Sequence, residues 1–472
     1  MTGCYLGIDL GISGARASVV NATGRPLGQG RSARRSGSNQ RFEFEREPLD
    51  WSLQVVEACR QAIQEAGRPR IEAIGIGALG PCPVLLDRDR RPLGPSPLFS
   101  IDGRAEPTRL ALRDAHALSD ETLGPDHVIP RLYWIREQEP ERFAKAACCV
   151  DAAGYLVSDL TDELVIDPIT LVDHAAPGLP SPLPTPPIRP ADAIAGGLTP
   201  GAAERLGLPA GIPVTVGTYD CFVDIAGSGV TEPGEACMLL GSTLVMGRVV
   251  EDERCGEGMR LTPHVGKGGF LGGWTSACGS LIDWAQRLYG PASFAAAETL
   301  PPGAGDLVML PYLAGERTPV WDPDARGVIV GLSLANDASH LARAALDAVA
   351  LSAMDLTRRL TRLSGPLGSF RVNGGGARNA ALVQAIADAT ATPLEIVAHA
   401  GEACAPAWLA ARAVGHRLEP GLDRIVRPKP ENSRRYEELF GIYRELYPRL
   451  APVMHGLAAS ARPPRKIQKE TE

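Results

Sequence analysis

Twice in this chain an apolar stretch of strand length enters a short turn of glycine and hydroxyl residues and leaves it as a second apolar stretch. The first instance is Cys4 to Leu10, the turn Gly11 to Gly14, then Ala15 to Val20. The second is Ala236 to Leu240, the turn Gly241-Ser242-Thr243, then Leu244 to Val250. Short apolar runs bounded by turn residues are strands, and a tight return makes each pair a hairpin. One such hairpin opens each half of a chain of 472 residues, a length too great for one ordinary core. The arrangement reads as an internal duplication, and with it two domains.

The segments after the first hairpin give the fold class. A strand is expected at Phe42 to Glu45. Asp50 is expected to cap a helix whose inward stripe is Leu53, Val56, Cys59, Ile63 and Ala66, ended by Gly67 and Pro69. Ile71 to Gly77 and Val84 to Asp87 read as further strands. Hairpin, helix and strand in that order predict a mixed α/β sheet with helices on its faces. The proline-crowded stretch from Ala175 to Pro190 is a surface connection, and Val214 to Thr218 is a strand leading into Asp220. Later, Ser339 is expected to cap a long helix with Leu341, Ala345, Val349, Ala353, Leu356 and Leu360 on one face. A strand at Phe370 to Asn373 runs into Gly374-Gly375-Gly376 and a helix. A strand at Leu394 to Ala398 precedes a helix near Ala403 to Val414. The polar, proline-bearing residues after Ala458 are expected to be a disordered tail.

Several function classes are excluded early. A net charge of -7 gives no footprint for nucleic acid. No apolar run reaches the length of a membrane span, and the first residues lack the pattern of a secretory signal. The 10 cysteines are scattered without a C-x-x-C pair, so reduced, buried thiols in the cytoplasm are expected. There is no P-loop, no zinc cluster and no nucleophile elbow. Gly75-Ile76-Gly77-Ala78-Leu79-Gly80 satisfies G-x-G-x-x-G after a strand. Pro81 and Pro83 follow it, however, where a dinucleotide fold needs a helix to open.

What remains is a set of glycine turns and acids. Asp9 closes the first strand and meets Gly11, Ser13 and Gly14; such a turn lets a backbone approach phosphate, and Asp9 suits a hydrated Mg2+. Gly241-Ser242-Thr243 offers a second phosphate turn with two hydroxyls. Gly374-Gly375-Gly376 between strand and helix lets a flat base or ribose lie against main chain. Asp220 ends a strand, where open α/β sheets present carboxylates to ligands, and an Asp can take the proton of an acceptor hydroxyl in phosphoryl transfer. Taken singly, each turn is also an ordinary hairpin or loop, and Asp220 is also a plausible helix cap.

Taken together, these residues resemble the FGGY carbohydrate kinase family. The strongest match is Pro311-Tyr312-Leu313-Ala314-Gly315-Glu316-Arg317-Thr318-Pro319, continuing through Trp321-Asp322-Pro323, Ala325-Arg326-Gly327 and Gly331-Leu332. Asp9-Leu10-Gly11 with Ser13 and Arg16 is similar to the family's first phosphate turn, and Gly241 to Thr243 to its second. Ile101-Asp102-Gly103-Arg104 is similar to its substrate segment, Gly217 to Gly227 to the segment with the catalytic Asp, and Gly374 to Asn379 to its adenosine loop. Two departures stand out. Ile12 replaces a Thr of the first turn, and Ala78-Leu79-Gly80-Pro81-Cys82 replaces the Gln-Met-His-Gly segment usual in xylulokinases.

The resemblance implies two actin-like (ribonuclease H-like) α/β domains with mixed sheets around a central cleft. Residues 1–228 would form the sugar-binding domain with the catalytic Asp220, residues 229–455 the ATP-binding domain, and residues 456–472 the disordered tail. It implies ATP-dependent phosphorylation of a small, ketopentose-like sugar or polyol. Asp102 and Arg104 would hold the substrate together with Asp220. Gly11, Ser13, Arg16, Gly241, Ser242, Thr243, Gly374, Gly375, Gly376 and Asn379 would hold ATP, and Asp9 would hold Mg2+. No nucleic-acid or membrane partner is expected, and homodimers are usual in similar proteins. The competing class is a degenerate kinase that serves as a nucleotide- or sugar-binding regulatory module.

Overall fold

The structure is a computed structural model and describes residues 3–34, 39–40, 43–98, 102–120, 122–251, 254–399 and 403–461. Phe42, Ile101 and the tail from residue 462 lie outside the described residues.

The first hairpin, β1 (Cys4–Gly11) and β2 (Gly14–Asn21), is antiparallel with Gly11 opposite Gly14. β3 (Pro26–Ala33) extends it on one side, and β4 (Ile71–Ala78) pairs parallel to β1 on the other. β5 (Ile194–Gly197) and β6 (Pro213–Thr215) complete the order β5-β6-β4-β1-β2-β3, and β7 (Thr218–Tyr219) also pairs with β4. The segment expected as one strand at Val214 to Thr218 is thus two strands. Gly217 breaks it at a positive φ of 73°.

The second sheet repeats the plan. β8 (Ala236–Leu240) and β9 (Leu244–Val250) form the second hairpin. β10 (Arg260–Pro263) and β11 (Gly269–Trp274) extend it, with β11 beside β9. β12 (Phe370–Asn373) lies parallel to β8, followed by β13 (Leu394–Val397) and the edge strand β14 (Leu422–Val426). In each sheet, then, a hairpin's first strand takes a later, parallel strand on its free side. Both sheets carry the Gly-hydroxyl turn at the same end of that pair, which is the duplication expected from the repeated hairpins.

Helices cover the sheets because each presents one apolar stripe. α1 (Pro48–Glu65) packs on β2 and β3 through Trp51, Val55, Ala58, Cys59 and Ala62. The expected stripe holds at Val56, Cys59, Ile63 and Ala66, but Leu53 is 52% exposed, and Glu47 with Pro48, not Asp50, starts the helix. The second core gathers around α4 (Ala338–Ser364), which is nearly all buried from Ala342 to Leu356. Asp337, not Ser339, caps it, accepting from the backbone N–H of Ser339 at 2.9 Å and of His340 at 3.2 Å. α5 (Ala380–Thr390) and α7 (Pro430–Ala461) pack with it. α7 carries the chain past Ala458, whose side chain is buried with that of Met454.

Two short helices join the halves. α3 (Asp220–Gly227) follows β7, and α6 (Ala405–Ala413), although late in the chain, packs on β1 and β4 of the first sheet. The G-x-G-x-x-G segment is explained by this approach. A Cβ on Gly75 would stand 1.7 Å from the carbonyl oxygen of Pro406, one on Gly77 3.4 Å from Val223, and one on Gly80 2.1 Å from the ring of Tyr219. These glycines seat α6, α3 and Tyr219, and no dinucleotide loop is formed.

Candidate active site

A single cleft of about 1440 Å³ lies between the two sheets. Gly11, Ser13 and Arg16 of the first turn, Gly241 to Thr243 of the second, and Gly374 to Gly376 with Asn379 line it. So do Asp9 and Asp220. The hairpins place the two turns at matching strand ends, so both open onto the same space.

Asp9 faces Arg16 directly across the hairpin, and their side chains form an ion pair. The carboxylate of Asp9 is almost fully buried, and its Oδ1 has no hydrogen-bond partner. Burial pushes its pKa up, and Arg16 opposes that. Asp220 is the first residue of α3, and its Oδ1 accepts from the N–H of Cys221 at 2.7 Å. Tyr219 holds the cap position, so Asp220 is not the N-cap. Its pKa is pushed up to about 7, first by burial and then by the charge of Asp9, while the Cys221 N–H and Arg16 pull it back. Asp224, one helical turn on, lines the same cleft and is pushed well up by burial, Asp9 and Asp220. Arg16 is the cation these three acids share. Asp224 is legible in the sequence only as an acid four residues after Asp220, on the same helix face.

The second turn is braced from below. Its Gly241 carbonyl accepts from the Gly279 N–H at 2.9 Å, and the Ser242 carbonyl accepts from Cys278 at 2.9 Å and Ser280 at 3.1 Å. The Ser242 and Thr243 hydroxyls remain for a ligand. In the third turn, Gly374 sits at φ 94°, a conformation that favours glycine, with its Cα side against Leu240. Asn379 caps α5, its Oδ1 accepting from Leu382 at 2.9 Å. Its side chain is therefore already used in holding that loop.

The long signature around Pro311 is mostly a brace. Buried Glu316 accepts from the N–H of Ser276 at 2.6 Å and of Arg317 at 2.8 Å, and burial pushes it up to about 7. Thr318 accepts from the Trp274 N–H at 3.1 Å. Asp322 accepts from Tyr447 at 2.8 Å and from His455 at 2.7 Å, tying the loop to α7. Only Arg317 and Trp321 of this stretch reach the cleft.

Asp102 and Arg104 are elsewhere. They bond each other, with Arg104 Nη2 to Asp102 Oδ2 at 2.8 Å, and Arg104 also reaches Glu45 at 2.7 Å and lies over Trp134. Asp102 further accepts from the Phe44 N–H at 3.0 Å. Neither is among the residues that line the cleft. A different polar group lines it beside Tyr219: Asp126 and His127, Asp173 on α2 (Pro168–His174), and Arg260 on β10. None of these was marked by a sequence motif.

Residues 4–172 match the N-terminal domain, and residues 239–414 the C-terminal domain, of the FGGY family of carbohydrate kinases. The chain is 27% identical to a xylulose kinase of Bacillus subtilis (strain 168) over 94% of this chain and 96% of that one. It is 28% identical to an L-xylulose/3-keto-L-gulonate kinase of Escherichia coli (strain K12) over 87% and 88% of the two chains. Among solved structures, a xylulose kinase from Rhodospirillum rubrum superposes with a TM-score of 0.84 at 26% identity, covering 96% of this chain and all of the other.

Proposed function

Because the chain belongs to the FGGY family of carbohydrate kinases, we propose that it transfers the γ-phosphoryl group of ATP to one hydroxyl of a small, ketopentose-like sugar or polyol in the cytoplasm, with Asp220 as general base. One observation carries the reading: a single cleft holds Asp220, both Gly-hydroxyl turns and the triple-glycine turn. In it, residues 229–455 hold the nucleotide, with adenosine along Gly374 to Gly376 and phosphates between the two turns. Residues 1–228 present the acceptor and Asp220.

The acceptor oxygen forms its bond to the γ-phosphorus as the bond from that phosphorus to the β–γ bridging oxygen breaks. ADP leaves with the electron pair, and the hydroxyl proton passes to Asp220. A base with a pKa near 7 is matched to this task at neutral pH. Arg16 keeps Asp9 and Asp220 from repelling the incoming phosphates without compensation. Mg2+ fits the residues present. Asp9 has a buried oxygen without a partner, Asp224 stands beside it, and a cation of this kind takes only one or two carboxylates. Asp9 and Asp224 would hold it, and when bound it neutralises phosphate charge.

Asp220→Ala tests the reading. Acceptor-dependent ADP release should fall ~10²–10⁴-fold while ADP binding is retained. Near-normal turnover would refute the assignment.

A further inference from the structure

Three residues on neighbouring strands stand in a row. Asp9 on β1 is opposite Arg16 on β2, and Arg16 is opposite Arg31 on β3. Directly opposed residues of an antiparallel sheet share a face. The reverse face belongs to α1: Gly28 and Gly30 turn to it, and a Cβ on Gly30 would stand 1.9 Å from the Ala58 carbonyl oxygen. Side chains alternate along a strand, so Arg31 turns the other way, into the cleft that it lines together with Asp9 and Arg16.

Charge along this row is unbalanced. Asp9 pairs with Arg16, and Arg16 also feels Asp220 and Asp224. Arg31 has only the guanidinium of Arg16 opposite it, and like charges so placed destabilise a sheet. Its backbone N–H bonds Gln61 at 3.0 Å, but among the described residues its own guanidinium has no hydrogen bond or ion pair. The residue is exposed, so its donors meet a ligand without any rearrangement. Two neighbouring guanidinium groups, one of them uncommitted, are a place for an anion.

The position of β3 says which anion. The Arg34 N–H bonds the Ser13 carbonyl at 2.9 Å, and a Cβ on Gly14 would stand 2.1 Å from the Ser32 carbonyl oxygen. The strand and the first phosphate turn are thus one piece. That turn is short of donors, since Ile12, 41% exposed, has no hydroxyl. Its sheet faces the far end of a nucleotide whose adenosine lies on the triple-glycine turn of the other sheet. We propose that Arg31 binds the γ-phosphoryl group of ATP, giving its N–H groups to the non-bridging oxygens that face the first turn. This rests on the kinase reading of the cleft. Arg31 makes and breaks no covalent bond: the acceptor oxygen bonds the phosphorus, ADP leaves with the electron pair, and the proton goes to Asp220.

A contact to the γ-phosphoryl alone separates ADP from ATP, so the experiment needs no acceptor. Calorimetry measures the Kd of the full chain for ADP and for the β,γ-imido analogue of ATP, each with Mg2+. Arg31→Gln should weaken the imido analogue about tenfold or more and leave ADP within about twofold of its wild-type value. Arg31→Lys, which keeps the charge but not the planar fork, should fall between for the analogue. An analogue affinity that survives Arg31→Gln within about twofold overturns the proposal, and so does a loss shared equally by ADP. Either result leaves the kinase reading intact, whereas a wild-type chain that binds neither nucleotide overturns that reading and this one with it. Retained ADP binding also shows that the variant is folded.

Discussion

Asp220 is held in a state the unfolded chain would not choose. Its pKa stands near 7 against an ordinary 3.8, so the folded protein binds that proton more tightly than the unfolded one does. Stability contributed at this position is therefore present at acid pH and lost as pH rises through the window from about 4 to 7. Asp220→Asn should stabilise the protein by about 2–4 kcal/mol at pH 8 and by almost nothing at pH 4, read by urea unfolding, while abolishing turnover. Ile12, 41% exposed in the first turn, offers phosphate no hydroxyl. Ile12→Thr should lower the KM for ATP severalfold; an unchanged KM would mean the neighbouring backbone N–H groups already suffice. Asp9, Asp220 and the three turns were legible as turns and strand ends, and they line one cleft. That Asp102 and Arg104 bond each other was not legible, because two oppositely charged residues two positions apart can satisfy each other as readily as a ligand. The place of Arg260 could not be read at all, since it lies over Trp321 and against Gly124, each far away in the chain.

At the scale of elements, alternation and turns reveal which segments are strands, but not what presses on them. Of the stripe expected on α1, Val56, Cys59, Ile63 and Ala66 face the core, and only Leu53 does not: Trp51 takes the buried place in that turn, and Pro48 starts the helix early. The glycines of β4 carry no signal of their purpose until α6 is seen lying on them. Gly75→Val should destabilise the protein by about 3 kcal/mol or more, since its side chain would collide with the Pro406 backbone. Equilibrium denaturation checks this. Gly374→Ala acts differently: at φ 94°, with the Leu240 carbonyl 2.7 Å from a new Cβ, it should distort the third turn. The KM for ATP should rise by about tenfold or more while the KM for the acceptor moves little, as steady-state kinetics would show.

The whole molecule is two repeats of one sheet plan facing a common space; the repeated hairpin anticipated the duplication, and the resemblance implied the cleft. A cleft between two sheets joined by short helices can close on its ligands, expelling water from the phosphates. ATP turnover without an acceptor should accordingly run below about one-hundredth of the acceptor-dependent rate, and ADP together with an acceptor should reduce the radius of gyration in solution scattering more than ADP alone. The position of α6 has a further consequence for how the protein comes into being. The first sheet is covered by a helix synthesised almost at the end of the chain. During translation the N-terminal half must wait on the ribosome with its glycine-lined face bare until residue 413 has emerged. A fragment cut after residue 228 would share that fate permanently, collecting as insoluble material unless the remainder were supplied alongside it.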